Sequence, residues 1–352
     1  METSLDRNSD DAALPLREAW YYAAPGRALR RGRLLSRTML GEPVLLGRDR
    51  GGAVFALKDI CPHRGMPLSE GRFDGAEIEC CYHGWRFTPE GRCTAIPSLV
   101  AGQGFDLAQV VVPRYPAREA QGNVWVYFGS DPAAAPPVPL LDDFVADAAP
   151  GIVETVRFDG AIDHAVVGLM DPAHGPFVHR AWWWRGAHSA HEKAKEFAPS
   201  AWGFTMSRHA PSSNSRAYKL LGGSQTEIAF RLPSVRIERI EAGRLVLCNV
   251  TAITPVDDRF SDINHCWYWN APWLGVLKPL ALPFVRAFLG QDGAIMARQQ
   301  KGLRFDPVLS LIDDADTQAR WYFQLKREYR RARAEGRPFE NPVKARTLRW
   351  KS

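Results

Sequence analysis

Two short segments constrain this chain more than anything else in it. One reads Cys61-Pro62-His63-Arg64-Gly65, and sixteen residues later the other reads Cys80-Cys81-Tyr82-His83-Gly84-Trp85. Each carries a cysteine and a histidine at close spacing, so the fold must bring two loops together around a metal. Four ligands of type Cys₂His₂ are compatible with tetrahedral zinc. Zinc fingers, however, pair the two cysteines and pair the two histidines, whereas here each loop gives one of each. That pattern suits a two-iron cluster with both cysteines on one iron and both histidines on the other. Neutral imidazoles in place of two thiolates raise the reduction potential, and the adjacent glycines let backbone N–H groups approach the bridging sulfides. The Cys-x-x-His spacing to His83 favours Cys80 over Cys81, and Cys93 is expected to pack.

The surrounding stretch predicts a β scaffold. From Trp20 to about Gly129, short apolar runs alternate with turns. Pro43–Leu46, Arg50-Gly51-Gly52 and Ala53–Leu57 read as a hairpin, and Val110–Val112 and Val124–Phe128 as further strands. Residues 130–141 hold four prolines and read as a stiff linker. The expected organisation is therefore 17–130, a linker 131–145, and 146–352, after a disordered lead over 1–16. In the second half, Glu154–Phe158, Glu227–Leu232, Val235–Ile240, Leu245–Ile253 and Asp262–Trp269 predict strands. Ala281–Leu289, Ala294–Gly302 and Thr317–Ala334 predict helices, giving an α+β layer.

A second constellation lies at residues 163–180, which contain Asp171, His174 and His179. On one unbroken helix a spacing of five would turn the two imidazoles about 140° apart. Gly175-Pro176 predicts a break between them, after which both can face one point. Two histidines with a carboxylate make the facial triad of a non-haem Fe(II) site with open positions for O₂. Asp171, three residues before His174, would neighbour it on one helical turn and orient it.

Together these motifs resemble the Rieske non-haem iron oxygenases. Cys-x-His followed by Cys-x-x-His-Gly-Trp is similar to the Rieske [2Fe-2S] motif. Asp-x-x-His-x-x-x-x-His is similar to the mononuclear iron motif of the terminal oxygenase (alpha) component, in a demethylase/monooxygenase-like or chlorophyll-breakdown-like subgroup. The resemblance covers about Trp20 to Arg320. It implies an α+β chain with an N-terminal all-β Rieske [2Fe-2S] domain. A helix-grip (START-like) catalytic domain with an antiparallel sheet and a C-terminal helix would follow. It implies a cluster held by Cys61, His63, Cys80 and His83, and a mononuclear Fe(II) held by His174, His179 and a downstream Asp. Gly290-Gln291-Asp292-Gly293 matches the downstream stretch, which makes Asp292 the expected ligand ahead of Asp313, Asp314 and Asp316. An N-cap role for Asp292 is compatible with that. The resemblance gives Asp171 a further role: it bridges His174 to His83 of a neighbouring subunit in a homotrimer. Two departures stand out. Cys81 occupies a position where the family often has Pro, and Val167-Gly168 one where it often has Glu-Asn.

The implied function is a terminal oxygenase. It takes electrons from a separate reductase or ferredoxin and uses O₂ to hydroxylate or oxidatively demethylate an apolar, ring-containing small molecule. Trp182–Trp184 and the Trp267-Tyr268-Trp269 run are candidate pocket aromatics, and Arg185 a candidate partner for a substrate carboxylate. The rivals are an electron-transfer Rieske protein without oxygenase chemistry and a zinc-stapled binding protein. Composition narrows the partners. The net charge is +6, with 45 Lys+Arg against 39 Asp+Glu, and the densest basic run, Lys326–Arg333, reads as a solvated helix face. Nucleic-acid binding is not expected. The most apolar long stretch, Ala271–Leu289, contains Lys278, Arg286 and three prolines, so no membrane span is expected. The acidic, polar Met1–Asp6 predicts no signal peptide and hence a cytoplasmic protein whose six cysteines stay reduced.

Overall fold

The computed structural model describes residues 14–179, 191–211 and 222–352, with only the backbone of Ala134. The expected lead therefore falls largely outside the described residues, as do Trp182–Trp184 and Arg185. The described residues form two compact units: Arg17–Leu140 with Val145–Ala149, and Leu14–Leu16 and Leu141–Phe144 with Pro150–Ser352.

The N-terminal unit is built from β1 (Ala19–Pro25), β2 (Leu34–Met39), β3 (Glu42–Arg48), β4 (Val54–Lys58), β5 (Arg72–Phe73), β6 (Ile78–Glu79), β7 (Arg86–Phe87), β8 (Cys93–Ala95), β9 (Arg114–Tyr115), β10 (Ala117–Ala120) and β11 (Asn123–Phe128). They form three antiparallel sheets, ordered β1-β11-β10, β2-β3-β4-β9 and β5-β6-β7-β8. The expected hairpin is β3–β4. Every residue of β11 is buried, which is why it reads as a continuous apolar run rather than an alternating one. Val110–Val112 is not a strand. Among its residues only Val111 forms a bridge, to Arg92, because Val110 closes a 3₁₀ turn capped by Asp106. One buried cluster joins Leu45, Phe55 and Leu57 of the larger sheet to Ile78 and Phe87 of the small one, and it includes Cys61 and Cys80.

The C-terminal unit is an antiparallel sheet backed by helices. Its strands are β12 (Ile152–Asp159), β13 (Glu192–Ser200), β14 (Gly203–His209), β15 (Gln225–Arg231), β16 (Val235–Ala242), β17 (Leu245–Pro255), β18 (Phe260–Trp269) and β19 (Arg346–Lys351), ordered β12-β18-β17-β16-β15-β14-β13-β19. The helices are α1 (Ile162–Met170), α2 (Gly175–Val178), α3 (Leu274–Leu303) and α4 (Thr317–Ala334). Two expectations need correction. Residues 281–289 and 294–302 do not form separate helices. They belong to α3, which runs on through Pro279, Pro283, Gly290 and Gly293. And α1 ends at Met170, five residues before Gly175-Pro176. Asp171 precedes Pro172, whose ring drives it to an extended backbone (ψ 116°), and its N–H closes the helix on the Val167 carbonyl. No helix among the described residues is long and apolar enough to cross a membrane.

Candidate functional site

The two Cys/His loops are built alike. In the first, the Cys61 N–H donates to the Met66 carbonyl (2.7 Å) and the Gly65 N–H to the Cys61 carbonyl (2.9 Å). In the second, the Cys80 N–H donates to Trp85 (2.9 Å) and the Gly84 N–H to Cys80 (3.0 Å). Gly65 and Gly84 both take positive φ, 74° and 69°, which the tight turn requires and side chains resist. Both cysteines are buried, while Cys81 is exposed. Burial pushes the Cys61 thiol up to about 11, with the neighbouring Cys80 adding to it against backbone N–H groups of His63 and Arg64. Such a thiol ionises only with a cation beside it. The His63 and His83 rings lie 4.4 Å apart, and Trp85 stacks on His63 at 4.5 Å. His63 Nδ1 is buried with no hydrogen-bond partner, as a metal-ligating nitrogen would be before its metal binds.

Among the described residues, the one group of three or more candidate ligands whose donor atoms converge within 4.8 Å is His174, His179 and Asp292. The two cysteines and two histidines of the loops therefore do not gather at single-ion distances. This fits two metals bridged between a sulfur pair and a nitrogen pair, and it opposes one tetrahedral zinc.

The second constellation is set by α2. His174 and His179 flank this one-turn helix, which Pro176 helps to start. The backbone leaves helical geometry at His179, and the two Nε2 atoms come to 3.2 Å. Asp292 Oδ1 lies 3.2 Å from His179 Nε2 and 3.8 Å from His174 Nε2. Ligands at about 2.1 Å on adjacent octahedral positions sit about 3 Å apart, so the three fit one face around a single ion. Asp292 lies inside α3 rather than at its start, so it is no N-cap. Burial raises its carboxyl to about 6, against the pull of His174 and Arg236. Of the competing carboxylates, Asp313 and Asp314 pair with Arg346, and Asp316, on the cavity wall, accepts from the Ile312 N–H without joining the triad.

The orienting groups differ from expectation. Asp171 does not share a helical turn with His174. Its backbone carbonyl accepts from His174 Nδ1 (2.8 Å), while its carboxylate lies 3.7 Å from that nitrogen and accepts from the Ala173 N–H. His179 Nδ1 donates to the Gln291 side-chain oxygen (3.0 Å), and Phe288 stacks on the ring at 3.9 Å. Neither Gln291 nor Phe288 stands out in the sequence. The signal that would have found them is the 3.6-residue period of α3, which puts 288, 291 and 292 on one face.

The triad lines a cavity of about 1240 Å³ walled by the sheet, α1 and α3. Near the triad the wall is apolar, with Val178, Phe284, Val285 and Phe288. The sheet adds Met206, Ile228, Ile263 and Trp267, and a polar patch of Asn249 and His265. Trp267 is the one residue of the Trp-Tyr-Trp run on this wall; Tyr268 is buried and packs on Phe144.

Known proteins resemble both units. Residues 19–116 match the Rieske [2Fe-2S] domain, and residues 168–328 match the vanillate O-demethylase oxygenase C-terminal domain. The chain is 37% identical over 169 residues to the toluene-4-sulfonate monooxygenase system iron-sulfur subunit of Comamonas testosteroni, covering 47% of this chain and 46% of that protein. It is 38% identical over 170 residues to the dicamba O-demethylase oxygenase component of Stenotrophomonas maltophilia, covering 47% and 48%. These matches thus span about half the length of the curated relatives. The crystal structure of dicamba monooxygenase bound to dicamba superposes with a TM-score of 0.72 at 23% identity, over 90% of this chain and 98% of that one, and so shares the fold. The chain thus carries a Rieske [2Fe-2S] domain followed by an oxygenase C-terminal domain of the vanillate O-demethylase type.

Proposed function

We propose that the protein is the terminal oxygenase of a multicomponent system, oxidising an apolar, ring-containing small molecule by hydroxylation or oxidative demethylation. The observation that carries this reading is the convergence of His174, His179 and Asp292 on the wall of a large cavity that is mostly apolar, with Lys193, Lys195, Arg236 and Glu238 also in its lining. An electron carrier has no use for such a site. When bound, the cluster supplies single electrons and the mononuclear iron activates O₂.

The residues divide the work. Cys61 and Cys80 would hold one iron of the cluster, and His63 and His83 the other. His174 and His179 would ligate the mononuclear iron through Nε2, their Nδ1 protons being taken by the Asp171 carbonyl and the Gln291 amide. Asp292 supplies the negative charge. The apolar wall of Phe284, Val285 and Phe288 excludes water and holds a ring by contact area. Asp171 positions His174. In a ring-like homotrimer, closed by a heterologous interface, it would also meet the Cys/His loops of the next copy. The electron donor is a separate reductase or ferredoxin. A reducing, cytoplasmic setting would keep the cysteines as thiols for the cluster.

Iron and acid-labile sulfide per chain, measured on anaerobically purified protein, test the reading. The expected result is about three irons and two sulfides, one two-iron cluster plus one mononuclear site. About two of each, even after Fe(II) reconstitution, would leave an electron carrier instead.

A further inference from the structure

We propose that Gln291 is a positioning residue for the mononuclear site, its side-chain carbonyl fixing the tautomer and direction of the His179 ring. This rests on the mononuclear-site reading above. A histidine that ligates through Nε2 must carry its proton on Nδ1, and that proton needs an acceptor. The two histidines obtain theirs in different ways. His174 uses the Asp171 carbonyl, three residues away in its own segment (2.8 Å). His179 uses the Gln291 Oε1, which arrives from α3 (3.0 Å).

His179 is buried, with 4% exposure, so water is a poor substitute for that acceptor. Losing the Gln291 acceptor weakens the hold on the Nδ1 proton and so favours the other tautomer, with the proton on Nε2 where the metal should bind. The same stretch of α3 supplies two more constraints. Phe288 lies nearly parallel to the imidazole, at 13°, and stops it from tilting. Asp292 sets its carboxylate 3.2 Å from Nε2. Positions 288, 291 and 292 are i, i+3 and i+4 of one helix and share a face. One rigid turn of α3 therefore holds the stack, the acceptor and the carboxylate at fixed spacing around His179.

The test is Co(II) binding by calorimetry, on protein whose mononuclear site has been emptied by chelation and whose cluster is intact by its visible spectrum. Gln291→Leu, close in size but without an acceptor, is expected to weaken Co(II) binding by about 10–100-fold. Gln291→Glu, which restores an acceptor, is expected to bind at least as tightly as wild type. Gln291→Asn keeps the amide but falls a methylene short; it is expected to weaken binding, and it carries the test if the leucine variant fails to fold. Binding within about twofold of wild type in the leucine or asparagine variant overturns the proposal. So does a glutamate variant as weak as the leucine one. A wild-type protein that binds no Co(II), or whose binding ignores His174→Ala, overturns the mononuclear-site reading instead.

Discussion

His265 shows how burial fixes the state of a single side chain. It faces Thr251 across the β17–β18 pairing, and its Nδ1 accepts from the Thr251 hydroxyl (3.1 Å) with Asn249 Nδ2 alongside (3.4 Å). Nδ1 thus accepts, and the neutral ring carries its proton on Nε2. Burial, with Arg236 nearby, pushes its pKa down to about 3. The unfolded chain takes up a proton near pH 6.5 and the native one does not, so this residue's contribution is intact above about 6.5 and lost as pH falls toward 3. Between about pH 6 and 4, wild type should lose roughly 1.4 kcal/mol more stability per pH unit than His265→Gln. Denaturant midpoints measured across that window check it, and parallel curves would refute it. At this scale, the candidate ligands were readable because thiols, imidazoles and carboxylates at tight spacing are costly without a partner. Gln291 was not, since a neutral amide one residue before an aspartate carries no such signal.

At the scale of elements, the approach of α1 to α4 depends on one buried ionic contact. Asp163, in the first turn of α1, accepts from Lys326 Nζ at 2.6 and 2.7 Å and from the Tyr322 hydroxyl at 2.6 Å. The Lys326 side chain is 2% exposed, and burial lowers its pKa against the pull of Asp163. Such a pair adds little over apolar residues, but losing one partner strands a buried charge. Lys326→Met should cost about 3–5 kcal/mol of unfolding free energy, and adding Asp163→Asn should recover much of it. Equal losses in the single and double variants would mean that packing, not charge, joins these helices. Strands β15 to β18 were legible from their apolar and β-branched residues, partly alternating in β15 and β16 and continuous where β17 is buried from Cys248 to Pro255. β13 and β19 were not. Along β13 the exposure alternates but the residues are largely polar, so no apolar period marks it, and β19 offers only Leu348 and Trp350, two alternating apolar residues that are too few to stand out. In the sequence α3 reads as two helices because Gly290 and Gly293 each resemble a stop signal. The helix passes them because its Leu289 and Met296 side chains are anchored in the core.

For the whole molecule, a two-unit organisation was readable, although the proline-rich stretch is no bare linker: residues up to Leu140 belong to the N-terminal unit, and Ala135, Val138 and Leu141 are buried. The order of the large sheet was not, since β19 pairs with β13 across most of the C-terminal half and only packing selects that neighbour. The division has a chemical consequence. Cys61 and Cys80 belong to a core cluster drawn entirely from the N-terminal unit, and His174, His179 and Asp292 all belong to the C-terminal unit. Each centre should therefore assemble without the other. His174→Ala is expected to abolish turnover yet keep the visible spectrum of the cluster and its two sulfides. Cys80→Ser is expected to remove that spectrum while the chain still takes up about one Fe(II). Cys81→Ser, exposed beside it, should change neither. Loss of the cluster in His174→Ala would mean that the two centres depend on each other for assembly, and the case for separate cores would fall.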